Sequence, residues 1–269
     1  MYKDKIVIKI GTSTLTYANG KINLKRIESL CKVISELKNS GIQIILVTSG
    51  AIGVGIGKLG LTSRPNSTKE RQALAAIGQC ELMAIYSKFF GLYGNYVAQL
   101  LLTQDVISNN ISKNNVVNTF QSLFKMNILP IVNENDSVST AEINGSNFGD
   151  NDRLSAIVAK IIEANSLIIL TDTDGLYDSN PFKNHNAMLI HTVNKIDNKI
   201  KNMAEDSLSN RGTGGMISKI QAAEIVTNHG ITCYIINGNN PHNLYKIFEN
   251  KKIGTQFLPQ KGRFKTWRK

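Results

Sequence analysis

Short, nearly uninterrupted apolar runs alternate along this chain with longer stretches in which apolar residues recur every third or fourth position. The first run, Lys5-Ile-Val-Ile-Lys-Ile10, reads as a short buried strand that stops at Gly11-Thr12-Ser13. Asn23 then caps a helix with apolar residues at Leu24, Ile27, Leu30, Cys31, Ile34 and Leu37, and Gly41 closes it. Residues 42–47 are almost wholly apolar, as a parallel strand covered on both faces requires, and they end at Thr48-Ser49-Gly50 with Gly53, Gly55 and Gly57 close behind. The alternation continues with a long helix over 69–89, a strand over 96–102, a helix near 116–125 and a strand over 128–132. An irregular stretch follows Asn133-Glu-Asn-Asp136 and runs to Gly149-Asp150-Asn151-Asp152. Beyond it the pattern predicts a helix through Leu154, Ile157, Val158 and Ile161, a strand over 167–170, and a small hairpin and helix within 175–201. A glycine loop, a helix, a strand over 231–236, a helix over 242–249 and a last edge strand over 254–257 complete the chain.

Strands separated by helices pair in parallel through right-handed crossovers, so this order predicts one α/β unit with a mostly parallel sheet. Ligands of such sheets bind beyond the carboxyl ends of the strands. Lys9, Ser49, Asp136 and Asp172 all fall at or just past such ends. Each is an ordinary polar loop residue taken singly; together on one edge they mark a site.

Composition adds less. With 269 residues, 42% of them hydrophobic, the chain can bury a large core. No window approaches the roughly 18 apolar residues of a membrane span, and no secretory apolar region follows Met1, so a cytoplasmic protein is expected. Cys31, Cys80 and Cys233 are odd in number and set in apolar runs, which predicts buried, reduced thiols. The net charge of +11 fits either an anionic ligand or a nucleic acid, with lysines spread over solvated helix faces as the plainer account. Lys261 to Lys269 is the one dense basic cluster, and it keeps a basic RNA-binding protein as a distant alternative.

The candidate chemistry centres on Arg211-Gly-Thr213-Gly214-Gly215-Met216-Ile217-Ser218-Lys219. Its glycines let backbone N–H groups approach a ligand, and it runs into a helix start, where unpaired N–H groups favour an anion. Glycine-rich turns also serve as plain connectors, so this loop needs partners. Lys9 is one, since an ammonium inside an apolar strand is costly unless paired; the alternative is an edge lysine reaching water. If Lys9 and Lys219 converge on one triphosphate they repel each other, and Asp152 is the candidate to hold them, with Asp150 or Asp136 for a substrate cation. Other site types do not fit. The spacing matches no Walker A or dinucleotide loop, Asp172-Thr-Asp174 lacks the later ligands of an EF-hand, the four histidines have no zinc spacing, and no serine lies in a hydrolase elbow.

Val7-Ile-Lys9-Ile-Gly-Thr12, Thr48-Ser49-Gly-Ala51, Asn133-Glu-Asn-Asp136, Gly149-Asp-Asn-Asp152, Thr171-Asp-x-Asp-Gly-Leu-Tyr177 and Gly212-Thr-Gly-Gly-Met-Ile-Ser-Lys219 together resemble the amino acid kinase family. Within it they are most similar to the branch that phosphorylates the side-chain carboxylate of L-glutamate, the first step of proline biosynthesis. The resemblance implies a three-layer αβα sandwich over 1–258, with a substrate part about 1–165, a nucleotide part about 166–258 and a basic tail over 259–269. It assigns phosphoryl transfer to Lys9, Lys219 and Asp152, and glutamate to Ser49, Asp136 and Asn151 with Asp150 beside them. Thr171, Asp172 and the loop Thr213, Gly214, Gly215, Met216, Ile217, Ser218 and Lys219, together with Lys9, would hold ATP. It further implies Mg²⁺ with the nucleotide, a homodimer or homotetramer, inhibition by proline and a glutamyl phosphate reductase as partner. Neither a membrane nor a nucleic acid is implied, because the chain is too short for the RNA-modification-type PUA domain of many bacterial members. Ser218 stands where Thr is usual, a change that keeps the hydroxyl. A mobile cover over the labile acyl phosphate is expected from 137–148. Family members acting on another carboxylate, a carbamate or a phosphate remain the alternative.

Overall fold

A computed structural model describes residues 4–17, 21–139, 151–181, 183–206 and 215–260. In chain order the elements are β1 (Lys5–Ile10), α1 (Thr12–Leu15), α2 (Leu24–Asn39), β2 (Gln43–Val47), α3 (Ala51–Lys58), α4 (Thr68–Leu92), β3 (Val97–Leu102), α5 (Gln104–Ser108), α6 (Asn110–Lys125) and β4 (Leu129–Glu134). They continue with α7 (Asn151–Ile161), β5 (Ser166–Thr171), β6 (Thr192–Val193), α8 (Asn198–Asp206), α9 (Met216–Thr227), β7 (Thr232–Asn237), α10 (Asn243–Phe248) and β8 (Thr255–Phe257).

The strands form one sheet in the order β3-β4-β2-β1-β5-β7-β8-β6, parallel throughout except where β7 meets β8. Strand parity divides the core. Ile6, Ile8 and Ile10 of β1 and Ile44 and Leu46 of β2 pack on the face that carries α2, α3, α4 and α10. Val7, Ile45, Val47, Leu167 and Ile169 pack on the other face, with α6, α7, α8 and α9. The result is the three-layer αβα sandwich expected. Lys9 shares the parity of Val7, so the pleat of β1 sends it to the side of α7 and α9.

Local chemistry accounts for most element ends. Asn23 Oδ1 accepts from Arg26 N to start α2, and Asn109 Oδ1 accepts from Ile111 N and Ser112 N to start α6 several residues before its apolar periodicity begins. The structure departs from expectation in several places. Residues 51–58, rich in glycine and unassigned from sequence, form α3. The glycines that weaken it as a helix allow it to lie against α4: a Cβ on Gly55 would stand 2.1 Å from Leu74 O, and one on Gly78 1.8 Å from Ala51 O. Thr12–Leu15, unassigned from sequence beyond the end of the first strand, forms a single helical turn. The strand at 255–257 is not at the edge, because β6 pairs outside it in a ladder too short to show alternation. Cys80 is exposed, unlike buried Cys31 and Cys233, since the inward positions of α4 at Leu74, Gly78, Leu82, Tyr86 and Phe90 leave it on the outer side. Among the described residues no helix is long and apolar enough to cross a membrane.

Candidate active site

β1 and β5 are neighbours at the centre of the sheet, and the connection from the carboxyl end of β1 runs to β2 on one side while that from β5 runs to the β7 side. That is the switch point where open parallel sheets form a crevice. Lys9 ends there, 5% exposed, with its Nζ 2.6 Å from Asp152 Oδ1. Lys219, in the first turn of α9, brings its Nζ to 3.1 Å from Asp152 Oδ2. Ser218 Oγ donates to the same Oδ2 at 2.8 Å. Asp152 is fully buried in the first turn of α7, where the helix dipole favours its charge.

Burial is the largest single influence on Asp152 and opposes its ionisation. The ammonium groups of Lys219 and Lys9 and the hydrogen bonds from Lys9 and Ser218 together outweigh it and hold the carboxyl well below the ordinary aspartate range. The carboxylate is therefore ionised throughout the neutral range. Two like charges are held at a fixed separation by one oxygen each, and Lys219 Nζ also reaches the Gly215 carbonyl at 3.4 Å. Gly11 adjoins this cluster: a Cβ there would lie 3.6 Å from Lys9 Nζ.

Beside it lies a polar group drawn from β2, β4 and α7. Asn151 Nδ2 shares its two protons among three acceptors, Thr48 O at 3.0 Å, Ser49 Oγ at 2.9 Å and Asn133 Oδ1 at 3.0 Å. Asn133 Nδ2 in turn donates to Gln79 Oε1 at 2.8 Å. Thr48 is fixed from behind by the hydroxyl of buried Tyr86 at 2.8 Å. Gly50 takes a left-handed conformation, φ 91°, and a Cβ on it would press on the Thr12 methyl at 3.1 Å, so glycine closes β2 against the loop after β1. Asp136 is buried, and with Glu134 it lines a cleft of about 390 Å³ under α3 and α4. Burial pushes the Glu134 carboxyl up to about 7, Asp136 adds to the shift, and the Ser139 hydroxyl at 2.8 Å works against it.

Across the crevice, Thr171 and Asp172 end β5, with Thr171 Oγ1 donating to Asp172 Oδ1 at 3.1 Å. Asn237 at the end of β7 donates to Asp174 Oδ1 at 2.8 Å, and Gly238 N donates to Thr171 O at 2.7 Å. Gly215 caps α9 and leads into Met216, Ile217 and Ser218. The structure thus brings Lys9, Asp152 and Lys219 into contact, sets Ser49, Asn151 and Asp136 on one flank, and puts Thr171, Asp172 and residues 215–219 on the other. Asp150, Thr213 and Gly214 lie outside the described residues, as do most of the expected cover and residues 261–269 of the basic tail. Sequence reasoning quoted Asn133 and Glu134 within a motif but gave them no role, and missed Gln79 altogether. An amide in an amphipathic helix carries no local signal of what it will meet in space.

An open parallel sheet with a lysine, a carboxylate and a second lysine converging at its switch point is the architecture of a phosphoryl-transfer enzyme. Residues 4–237 match the amino acid kinase family, and the chain belongs to that family. It is 53% identical over 259 residues to the glutamate 5-kinase of Clostridium perfringens, covering 96% of each chain, and 50% identical over 255 residues to the glutamate 5-kinase of Enterococcus faecalis, covering 94% of each. Among solved structures, the carbamate kinase from Giardia lamblia bound to AMP-PNP superposes with a TM-score of 0.65 at 17% identity, over 96% of this chain and 99% of that one, a likeness of fold.

Proposed function

We infer that this protein transfers the γ-phosphoryl group of ATP to the side-chain carboxylate of L-glutamate, the first step of proline biosynthesis. The reading rests on the buried Lys9–Asp152–Lys219 cluster, together with similarity to glutamate 5-kinases over nearly the whole chain. A side-chain carboxylate is already ionised at neutral pH, so its oxygen attacks phosphorus without a general base. What the reaction needs is in-line placement and positive charge around the equatorial oxygens. Lys9 and Lys219 supply that charge, and Asp152 keeps them separated and aimed. The first turn of α9 and the glycine loop before it hold the nucleotide phosphates, with Thr171 and Asp172 on the nucleoside side. Ser49, Asn151 and Asp136 hold the amino acid, with Asp150 assigned to the same task from sequence, so residues 1–165 form the substrate side and 166–258 the nucleotide side.

Among the described residues no three carboxylate, histidine or cysteine ligands gather into a metal cage. Mg²⁺ would enter on the ATP oxygens, keep several of its waters and neutralise phosphate charge when bound. A cytoplasmic homo-oligomer that is inhibited by proline and hands its labile product to a glutamyl phosphate reductase completes the reading.

The test is release of ADP by purified protein given ATP, Mg²⁺ and, side by side, glutamate, N-acetylglutamate, aspartate, carbamate and UMP. Glutamate should be the preferred acceptor by a wide margin. Lys219→Ala should lower kcat by about 10²–10³ or more while the protein stays folded, in line with the loss of one preorganised charge. Equal turnover with another acceptor, or an active Lys219→Ala, would refute the reading.

A further inference from the structure

The amide side chains behind Ser49 can be oriented without ambiguity, because backbone groups stand at fixed points along them. Asn151 lies 3.0 Å from the carbonyl of Thr48, which only accepts, so the Asn151 atom there is Nδ2. Asn133 lies 3.0 Å from the N–H of Glu134, which only donates, so the Asn133 atom there is Oδ1. That Oδ1 also accepts from Asn151 Nδ2, which leaves Asn133 Nδ2 to donate to Gln79 Oε1 at 2.8 Å. Three amides from α7, β4 and α4 are thus locked in one direction.

Two polar atoms are left over, one at each end: the donor Gln79 Nε2 and the acceptor Asn151 Oδ1 are buried with no hydrogen-bond partner among the described residues. Buried polar atoms are rarely left so, and each such atom calls for a ligand or a functional reason. Ser49 Oγ lies 2.9 Å from Asn151 Nδ2, a nitrogen that donates and does not accept, so the Ser49 proton is directed outward. The site therefore offers a hydroxyl donor beside a carbonyl acceptor, the pairing that sorts the carboxylate of an amino acid from its ammonium group. With the amides turned the other way, Asn151 would present an NH₂ group in place of the carbonyl, and that sorting would be lost.

We propose that Gln79 is a positioning residue for the amino-acid substrate: by receiving Asn133 Nδ2 it sets the polarity of the chain Asn133–Asn151–Ser49, and so the orientation in which glutamate is held. The inference rests on the glutamate-phosphorylating reading. Gln79 reaches Asn133 because the turn of α4 that carries it is drawn onto α3 at Gly78, where a side chain would collide with Ala51 O. Its hydrogen bond goes to Asn133 and not to Lys9, Asp152 or Lys219, so its loss should be felt chiefly in amino-acid binding.

Steady-state kinetics with both substrates on Gln79→Met, Asn133→Ala and the double variant test this. Gln79→Met should raise KM for glutamate about tenfold or more, which corresponds to the loss of about 1.4 kcal/mol, with KM for ATP within about twofold. Because Gln79 acts through Asn133, the double variant should be no worse than Asn133→Ala, the non-additivity of residues in one network. Gln79→Glu keeps an acceptor oxygen toward Asn133; it should retain most of the glutamate affinity, and it serves if Gln79→Met does not fold. Multiplying effects in the double variant, equal rises in both KM values, or Gln79→Glu as impaired as Asn133→Ala would overturn the proposal. Wild-type protein that releases no ADP with glutamate overturns both readings, whereas active wild type matched by Gln79→Met overturns the relay alone.

Discussion

Asp152 carries a negative charge with no solvent exposure, between the ammonium groups of two lysine side chains that are 7% and 9% exposed. Moving such charges out of water is costly, and removing the central one leaves two buried cations facing each other. Asp152→Asn is therefore expected to destabilise the protein by about 3–5 kcal/mol as well as to abolish turnover; urea unfolding at pH 7 measures the first. The folded-state pKa of Asp152 lies below the 3.8 of an exposed aspartate, so its stabilisation is complete above that pH and is lost as pH falls toward the folded value. Wild-type stability should drop steeply below about pH 4, and the slope of the melting temperature against pH there should flatten in Asp152→Asn. Glu134 has the opposite sign. Its carboxyl is raised from 4.5 to about 7, so its neutral form is the favoured one in the fold, and stability is lost as pH rises between those values. Glu134→Gln should remove that loss, and thermal melts between pH 5 and pH 8 should show the variant gaining on wild type as pH rises. A parallel pair of curves would refute the assignment. At this scale Lys9 was the most legible residue, since a charge within an apolar strand demands a partner. Asn133 and Gln79 were not legible, because an amide's partner depends on residues remote in sequence.

The elements that build the site owe their positions to small residues at contacts. α3 and α4 approach backbone to backbone at Gly55 and Gly78, and any side chain there must displace main chain. Gly78→Ala is expected to cost about 2–3 kcal/mol or more by overpacking, and to raise KM for glutamate by shifting Gln79. Gly91→Ala, in the same helix with nothing within 4 Å of the new methyl, should instead stabilise by about 0.5–1 kcal/mol. Equal urea midpoints for the two variants would contradict this account of the packing. The helix α3 shows why glycine-rich stretches mislead: low intrinsic propensity is outweighed when the missing side chains create the contact. The long periodic segments and the apolar strands were readable because periods of 3.6 and 2 follow from backbone geometry. The two-residue β6 offered no period to read, and β8 was accordingly expected at an edge it does not occupy.

At the scale of the whole molecule, β1 to β4 make one half of the sheet and β5 to β8 the other, and the Lys9–Asp152–Lys219 cluster ties the halves together at their junction. On the proposal that Mg²⁺ enters with the nucleotide, chelation of Mg²⁺ should stop ADP release and leave the melting temperature of the ligand-free protein unchanged; a fall in that temperature would overturn that part of the proposal. The chain alone determined the alternation of strands and helices, the parallel sheet, the edge on which the polar residues gather and the family resemblance, because all of these are written in local periodicity or in contiguous motifs. Which face Lys9 points to, how the amide chain from Gln79 to Ser49 is directed and how closely α3 meets α4 were decided only by folding. Those properties are distances between residues far apart in sequence, and packing, not local preference, sets such distances.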